Sequence, residues 1–312
     1  MYEQIASNKR KSMALFAGFF LIYLVIAFAL YEASGPVGAM IILVIAAVMV
    51  GTTLYGGDDL AVRVAGGRQV MRKEEAPELW RMVENLAITA GLPMPRLFIS
   101  SDPSPNAFAA GRSPEQAIVC VNQGLLEVLD DQELQGVLAH EMSHIRNYDV
   151  RLMTYAAVLA GSIAMIAQLL VYTGGGRDRG RDNNPLGIIL LIATIILAPI
   201  AATIIQLSIS RKREFVADAS AADLTRYPQA LASALQVISG SDVRPTHNED
   251  AIAHMMIAPQ MNARGDGAKR SLFSTHPPTE ERVARLMEMA GGVPHQRGLP
   301  VSQTFHEALG QG

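Results

Sequence analysis

Four uncharged apolar runs, at residues 13–31, 37–55, 152–172 and 186–209, limit this chain more than any other feature. Each is close to or above the roughly 20 residues that a helix needs to cross the hydrocarbon core of a bilayer. In lipid the backbone must satisfy its own hydrogen bonds, so all four are expected as membrane-spanning helices. Only residues 32–36 separate the first two, which predicts a hairpin with a very short turn. A cleaved signal peptide would have a shorter apolar region and a small-residue cleavage site, whereas here a second run follows at once. The chain is 50% hydrophobic and 18% charged with a mean hydropathy of +0.22, as a membrane protein requires. No ionisable residue interrupts the runs, which argues against a transporter with a charged intramembrane site.

Basic residues set the expected orientation. Lys9, Arg10 and Lys11 precede the first run, and Arg211, Lys212 and Arg213 follow the fourth. Lys and Arg near span ends are retained on the cytoplasmic side, so both termini and the segment between the second and third runs are expected there. Arg177, Arg179 and Arg181, offset by Asp178 and Asp182, weaken this bias without reversing it. The expected organisation is a transmembrane hairpin at 1–56, a first cytoplasmic part at 57–151, a second hairpin at 152–209, a second cytoplasmic part at 210–290 and a mobile tail at 291–312. A net charge of −3 offers no bulk attraction for nucleic acid. The single cysteine, Cys120, excludes an intramolecular disulfide and a cysteine-rich zinc site, and it lies in an alternating apolar run that predicts a buried thiol.

The chemistry-bearing motif is His140, Glu141, Met142, Ser143, His144, just before the third run. On a helix, positions i and i+4 share a face, so both imidazoles can reach one metal ion with Glu141 beside them. Two neutral histidines suit zinc, and a catalytic zinc lowers the pKa of water to about 7 while a neighbouring carboxylate takes the proton. Asp130 followed by Glu133 reads as a capping pair, and Leu134, Val137, Leu138, Met142 and Ile145 form an apolar face, so the motif lies on a helix. Upstream, residues 78–91 read as an amphipathic helix ending at a glycine, and residues 97–100 and 117–121 as short strands around a proline-rich turn at 102–105. A strand edge beside the metal helix can bind an extended peptide, or the sheet is ordinary core. The fold class is α+β, mainly α.

A catalytic zinc needs a third protein ligand. Glu214, directly after the basic cluster that ends the fourth run, is the best candidate, because Asp218 one turn further on can orient a metal-bound histidine. Asp223 and Glu249 lack such a partner. His276, held between Thr275 and the Pro277–Pro278 pair, sits on stiff backbone. It can donate a hydrogen bond to an oxyanion, bind metal when substrate is absent, or be a turn histidine. Residues 280–289 read as a short amphipathic helix.

With these residues in hand, the chain resembles the HtpX family of bacterial membrane zinc endopeptidases, relatives of the CAAX prenyl proteases. The resemblance runs through residues 74–79, 90–95 and 105–109, the histidine motif before the third run, residues 213–218 and residues 274–278. It implies a gluzincin fold in which His140, His144 and Glu214 bind one zinc per chain and Glu141 acts as base and acid. It also implies a place in the bacterial inner membrane and cytoplasmic cleavage of misfolded or damaged membrane proteins under envelope stress. Asn106, Ala107 and Phe108 would then border the substrate groove. The sequence departs from the family at Ala110, where a threonine is usual, and in the arginine-bearing loop at 177–181. A CAAX-type processing protease, and a zinc-binding scaffold without proteolysis, are the competing readings; Glu141 argues against the scaffold, since a structural site needs no base.

Overall fold

The computed structural model describes residues 2–159, 210–246, 255–257 and 277–303. The chain starts with two long helices, α1 (Tyr2–Ser34) and α2 (Pro36–Tyr55), joined at Gly35 alone. Gly35 has a φ of 75°, and Pro36 opens the next helix at a position where its missing N–H costs nothing. The two helices pack against each other as a helical hairpin, with a turn shorter than expected. Among the described residues α1 is the one helix long and apolar enough to cross a membrane, over Ala6–Phe28, while the apolar stretch of α2, Ala39–Thr52, is shorter. Lys9, Arg10 and Lys11 belong to α1 itself rather than to a segment before it. Large apolar side chains such as Leu21, Val25, Phe28, Met40 and Val44 point outward from the hairpin. Of the expected third and fourth spans only 152–159 falls among the described residues, and it is helical and buried.

A small mixed sheet follows. Its strands β1 (Gly67–Gln69), β2 (Arg96–Ser100), β3 (Ala107–Ala110) and β4 (Ile118–Asn122) run in the order β1-β2-β4-β3, with β2 and β4 parallel and the outer pairs antiparallel. β3 and β4 are buried throughout, Cys120 included, so the sheet is covered on both faces. β2 and β4 match expectation, whereas β1 and β3 were not foreseen. Helix α3 (Gly57–Val64) leads into the sheet, and α4 (Pro77–Ala90) ends at the left-handed Gly91 as its sequence predicts. After α5 (Gln123–Val128) comes α6 (Asp131–Arg146), the motif helix.

The start of α6 is fixed by its cap. The Asp130 side chain accepts from the amides of Gln132 and Glu133, and the Glu133 carboxylate returns a bond to the Asp130 amide. Such a reciprocal cap is worth about 1 kcal/mol. Two residues in turn conformation, Asn147 and Tyr148, separate α6 from α7, which begins at residue 149 and is described to 159. Helices α8 (Arg211–Thr225), α9 (Pro228–Ser239) and α10 (Thr279–Met289) complete the described chain, and α6 packs against β3, α4, α8 and α9. The tail expected to be mobile is anchored up to residue 303. His295 and the Gly298 amide bond to Asp130, Arg297 pairs with Glu133, and the Val301 amide bonds to the Leu129 carbonyl.

Gly136 sets the distance between α6 and α9. A Cβ there would lie 3.0 Å from the Leu231 amide nitrogen and 3.1 Å from its Cα. Gly136→Ala would gain about 1 kcal/mol in helix propensity, which partly hides the crowding, so a bulkier probe separates the effects. Gly136→Val is expected to lower stability by about 1–3 kcal/mol, read as a lower thermal midpoint. An unchanged midpoint would show that the two helices separate freely.

Candidate metal centre

The i,i+4 spacing on α6 brings the His140 and His144 rings edge to face with centroids 4.7 Å apart, and their Nε2 atoms lie 3.1 Å from each other. Glu214, in the first turn of α8, places Oε2 3.8 Å from His140 Nε2 and Oε1 3.5 Å from His144 Nε2. Zinc bonds of about 2.0–2.1 Å in a tetrahedron put neighbouring ligand atoms about 3.3 Å apart. The separations in this trio bracket that value, and two imidazoles with one carboxylate are a donor set zinc accepts. All three side chains are buried.

Each histidine is turned by a carboxylate behind it. His140 Nδ1 lies 2.9 Å from Asp218 Oδ1, and His144 Nδ1 lies 3.1 Å from Asp149 Oδ2. Because a carboxylate only accepts, both rings carry their proton on Nδ1, which leaves Nε2 to face the site. Asp218 is itself held by Arg282 of α10 through two bonds of 2.7 and 2.8 Å, and Arg282 Nη1 donates to the Ile257 carbonyl at 2.8 Å. Burial alone would raise the Asp218 pKa, but the Arg282 guanidinium outweighs it and holds the carboxyl below its usual range.

Glu141 adjoins the same site, close enough to His144, Glu214 and Arg282 to feel their charges. It is buried, and neither carboxylate oxygen has a hydrogen-bond partner; the Ala109 amide on β3 faces it without reaching hydrogen-bond geometry. Burial, reinforced by the Glu214 carboxylate, pushes its pKa up to about 8. An orphaned buried carboxylate costs at least about 1–3 kcal/mol, which is a strange residue to keep unless a ligand completes its surroundings. His144 is shifted the other way: burial opposes its charge, yet the Asp149 bond and the Glu214 carboxylate prevail and raise it to about 9.

The remaining expectations are distributed as follows. Asn106 is buried and donates to Met256 Sδ, and Ala107 and Phe108 lie on β3 with no exposed surface. The outer edge of β3 is paired to Met256, with the Ile257 amide donating to the Ala107 carbonyl at 3.2 Å. Asp223 is exposed, paired with Arg226 and away from the trio. His276 and Glu249 lie outside the described residues. Sequence reasoning missed Asp149 and Arg282. Arg282 shares a helix stripe with the buried Leu286, four residues on, and a charge on an apolar stripe was the available signal. A second acidic group, Asp130 and Glu133 with His295, also converges; capping bonds and Arg297 account for it.

Two histidines of one helix and a carboxylate of another, buried together beside the sheet with Glu141 next to them, are the site of a metallopeptidase. Residues 73–290 match the family described as Peptidase family M48. Proteins named "Protease HtpX homolog" from Ligilactobacillus salivarius and Tropheryma whipplei are 43% and 47% identical to this chain, covering 93% and 74% of it and 100% and 78% of their own lengths. The chain therefore belongs to the HtpX proteases of peptidase family M48 and is a metalloprotease. The solved structure of S. mikatae Ste24p is similar over 92% of this chain and 66% of that one, with 19% identity and a TM-score of 0.47.

A raised His144 pKa means that the metal-free ring is protonated at pH 7 and must lose that proton to bind a metal. Zinc titrated into metal-stripped protein is expected to release a proton at pH 7, and its apparent affinity to rise as the pH climbs towards about 9. Calorimetry in two buffers of different ionisation heat measures this. Uptake without proton release would show that the His144 ring is already neutral in the metal-free protein.

Proposed function

We propose that this chain is a membrane-anchored zinc endopeptidase that hydrolyses peptide bonds of misfolded or damaged membrane proteins at the cytoplasmic face of the inner membrane. The observation that carries the reading is the joining of a metal-ligand trio and an unpaired glutamate to a helix long enough to cross a bilayer, within one chain. The outward apolar residues of α1 and α2 support lipid as their surroundings, since soluble proteins seldom expose large contiguous apolar patches. His140, His144 and Glu214 are assigned as metal ligands, Asp218 and Asp149 as the carboxylates that orient the histidines. A zinc ion held there supplies a Lewis acid that acidifies water and polarises a carbonyl.

The protein's own part is to place groups and move one proton. Glu141 takes the proton from the attacking water and returns it to the departing amine. A carboxyl group beside the metal site can accept that proton and give it back. His276 is assigned to the developing oxyanion, and Asn106, Ala107 and Phe108 to the wall of the substrate groove. A substrate strand reaching β3 would have to replace the pairing of Met256 and Ile257, so extended, unfolded segments are favoured over folded ones.

Glu141→Gln is expected to keep zinc at one per chain while lowering turnover by at least ~100-fold, the span assigned to a general base being about 10²–10⁴. Near-normal proteolysis by that variant would sink the assignment of Glu141. Glu214→Ala is expected to lose zinc on dialysis, and retention would point to another third ligand. Wild-type protein in detergent should cleave a destabilised membrane protein in preference to its folded parent. Cleavage confined to the end of a prenylated peptide would favour the processing reading instead.

A further inference from the structure

We propose that Asn8, on the first helix, is a positioning residue for the metal centre: it holds Asp149, and through Asp149 the ring of His144. The inference rests on the assignment of His144 as a metal ligand and goes beyond it, because it makes the first membrane helix part of the site's support.

Asn8 is buried, 1% exposed, although its neighbours Lys9 and Arg10 are open to solvent. Its Nδ2 donates to the Asn147 carbonyl at 3.0 Å and to Asp149 Oδ1 at 2.7 Å, so both amide protons are used. The other oxygen of the same carboxylate, Oδ2, receives Nδ1–H of His144 at 3.1 Å. A chain of two hydrogen bonds thus runs from α1 to the ligand ring across more than 130 residues of sequence. Ser12, fully buried one turn along α1, donates to the Asn8 carbonyl.

Two further contacts fix the loop that Asn8 grips. Tyr148 has a φ of 59°, a left-handed conformation that costs an ordinary residue about 1–2 kcal/mol. Its ring lies under the Lys9 ammonium, 4.3 Å from nitrogen to centroid. Arg213 Nε stands 3.5 Å from Asp149 Oδ1. Each ligand histidine therefore has a carboxylate with its own support, Arg282 for Asp218 and Asn8 for Asp149. Asp149 also has a cation, Arg213, beside Oδ1, and the Asn8 amide adds a directed donor: one Nδ2 proton goes to that oxygen and the other to the Asn147 carbonyl, which ties the carboxylate to the turn before it.

The test uses full-length protein in detergent, loaded with zinc, in four forms: Asn8→Leu, Asn8→Asp, Asp149→Asn, and the double exchange Asn8→Asp with Asp149→Asn. The first readout is the rate of zinc loss to a chelator, a first-order rate that does not depend on how much of a preparation has folded; kcat and KM are the second. Loss of an outer support for a metal-bound histidine typically costs 10–100-fold in metal affinity or activity. Asn8→Leu is expected to release zinc at least about 10-fold faster and to lower kcat with KM little changed. In the double exchange the amide now at position 149 can donate to the carboxylate now at position 8 while its oxygen still accepts from His144; the bond to the Asn147 carbonyl is not restored, so both readouts should recover in part relative to Asn8→Asp. Wild-type zinc retention and kcat in Asn8→Leu would overturn the proposal, as would a double exchange no better than Asn8→Asp. If Asn8→Leu fails to accumulate, the exchange pair decides alone. His144→Ala serves as reference: zinc lost there but kept in Asn8→Leu overturns only the role of Asn8, whereas zinc kept in His144→Ala overturns the ligand assignment beneath it.

Discussion

Burying charge without water is the constraint on which this structure depends. His140, Glu141, His144, Asp149, Arg213, Glu214, Asp218 and Arg282 are all buried around one point. Each would be prohibitively costly alone, and ionised groups stay in a protein interior only when paired and hydrogen-bonded. The partners come from segments far apart in the chain: α1 through Asn8, α6, the start of α7, α8 and α10. The tertiary arrangement of those elements follows from the need to satisfy this cluster as much as from apolar burial. Glu141 is the exception among them, with no hydrogen-bond partner for either carboxylate oxygen.

Local features were legible because their causes are local. The Asp130–Glu133 box announced α6, Gly91 announced the end of α4, and the amphipathic pattern of residues 280–289 announced α10. Two strands escaped for different reasons. β1 is three residues long, too short to show alternation, and β3 is Ala107–Ala110, dominated by alanine, which has little preference for strands. The tail escaped because its order comes from partners far away: Gly291 and Gly292 suggested looseness, while Asp130 and Glu133 supply the anchors.

The site divides along the same line. The histidine pair, Glu214 and Asp218 sit at i,i+4 spacings that a sequence displays openly, and the structure places all four side chains together. Asp149 follows His144 by five residues, off that spacing, and reaches it only because the chain turns at Tyr148. Asn8 carries no local signal at all. An asparagine in the first turns of an apolar helix is unremarkable until its partner 141 residues away is known.

The order of the parts along the chain has a consequence for biosynthesis. Arg282 is what fixes Asp218 and thereby His140, and it lies beyond every apolar run in the sequence. A nascent chain still emerging from the ribosome has the motif helix and its two histidines long before it has that guanidinium. Asp218 is then a buried-site carboxylate without its counter-ion, and the ligand pair it serves is not yet held. The groups that converge on this point are therefore complete in the chain only after its last hydrophobic run has been made.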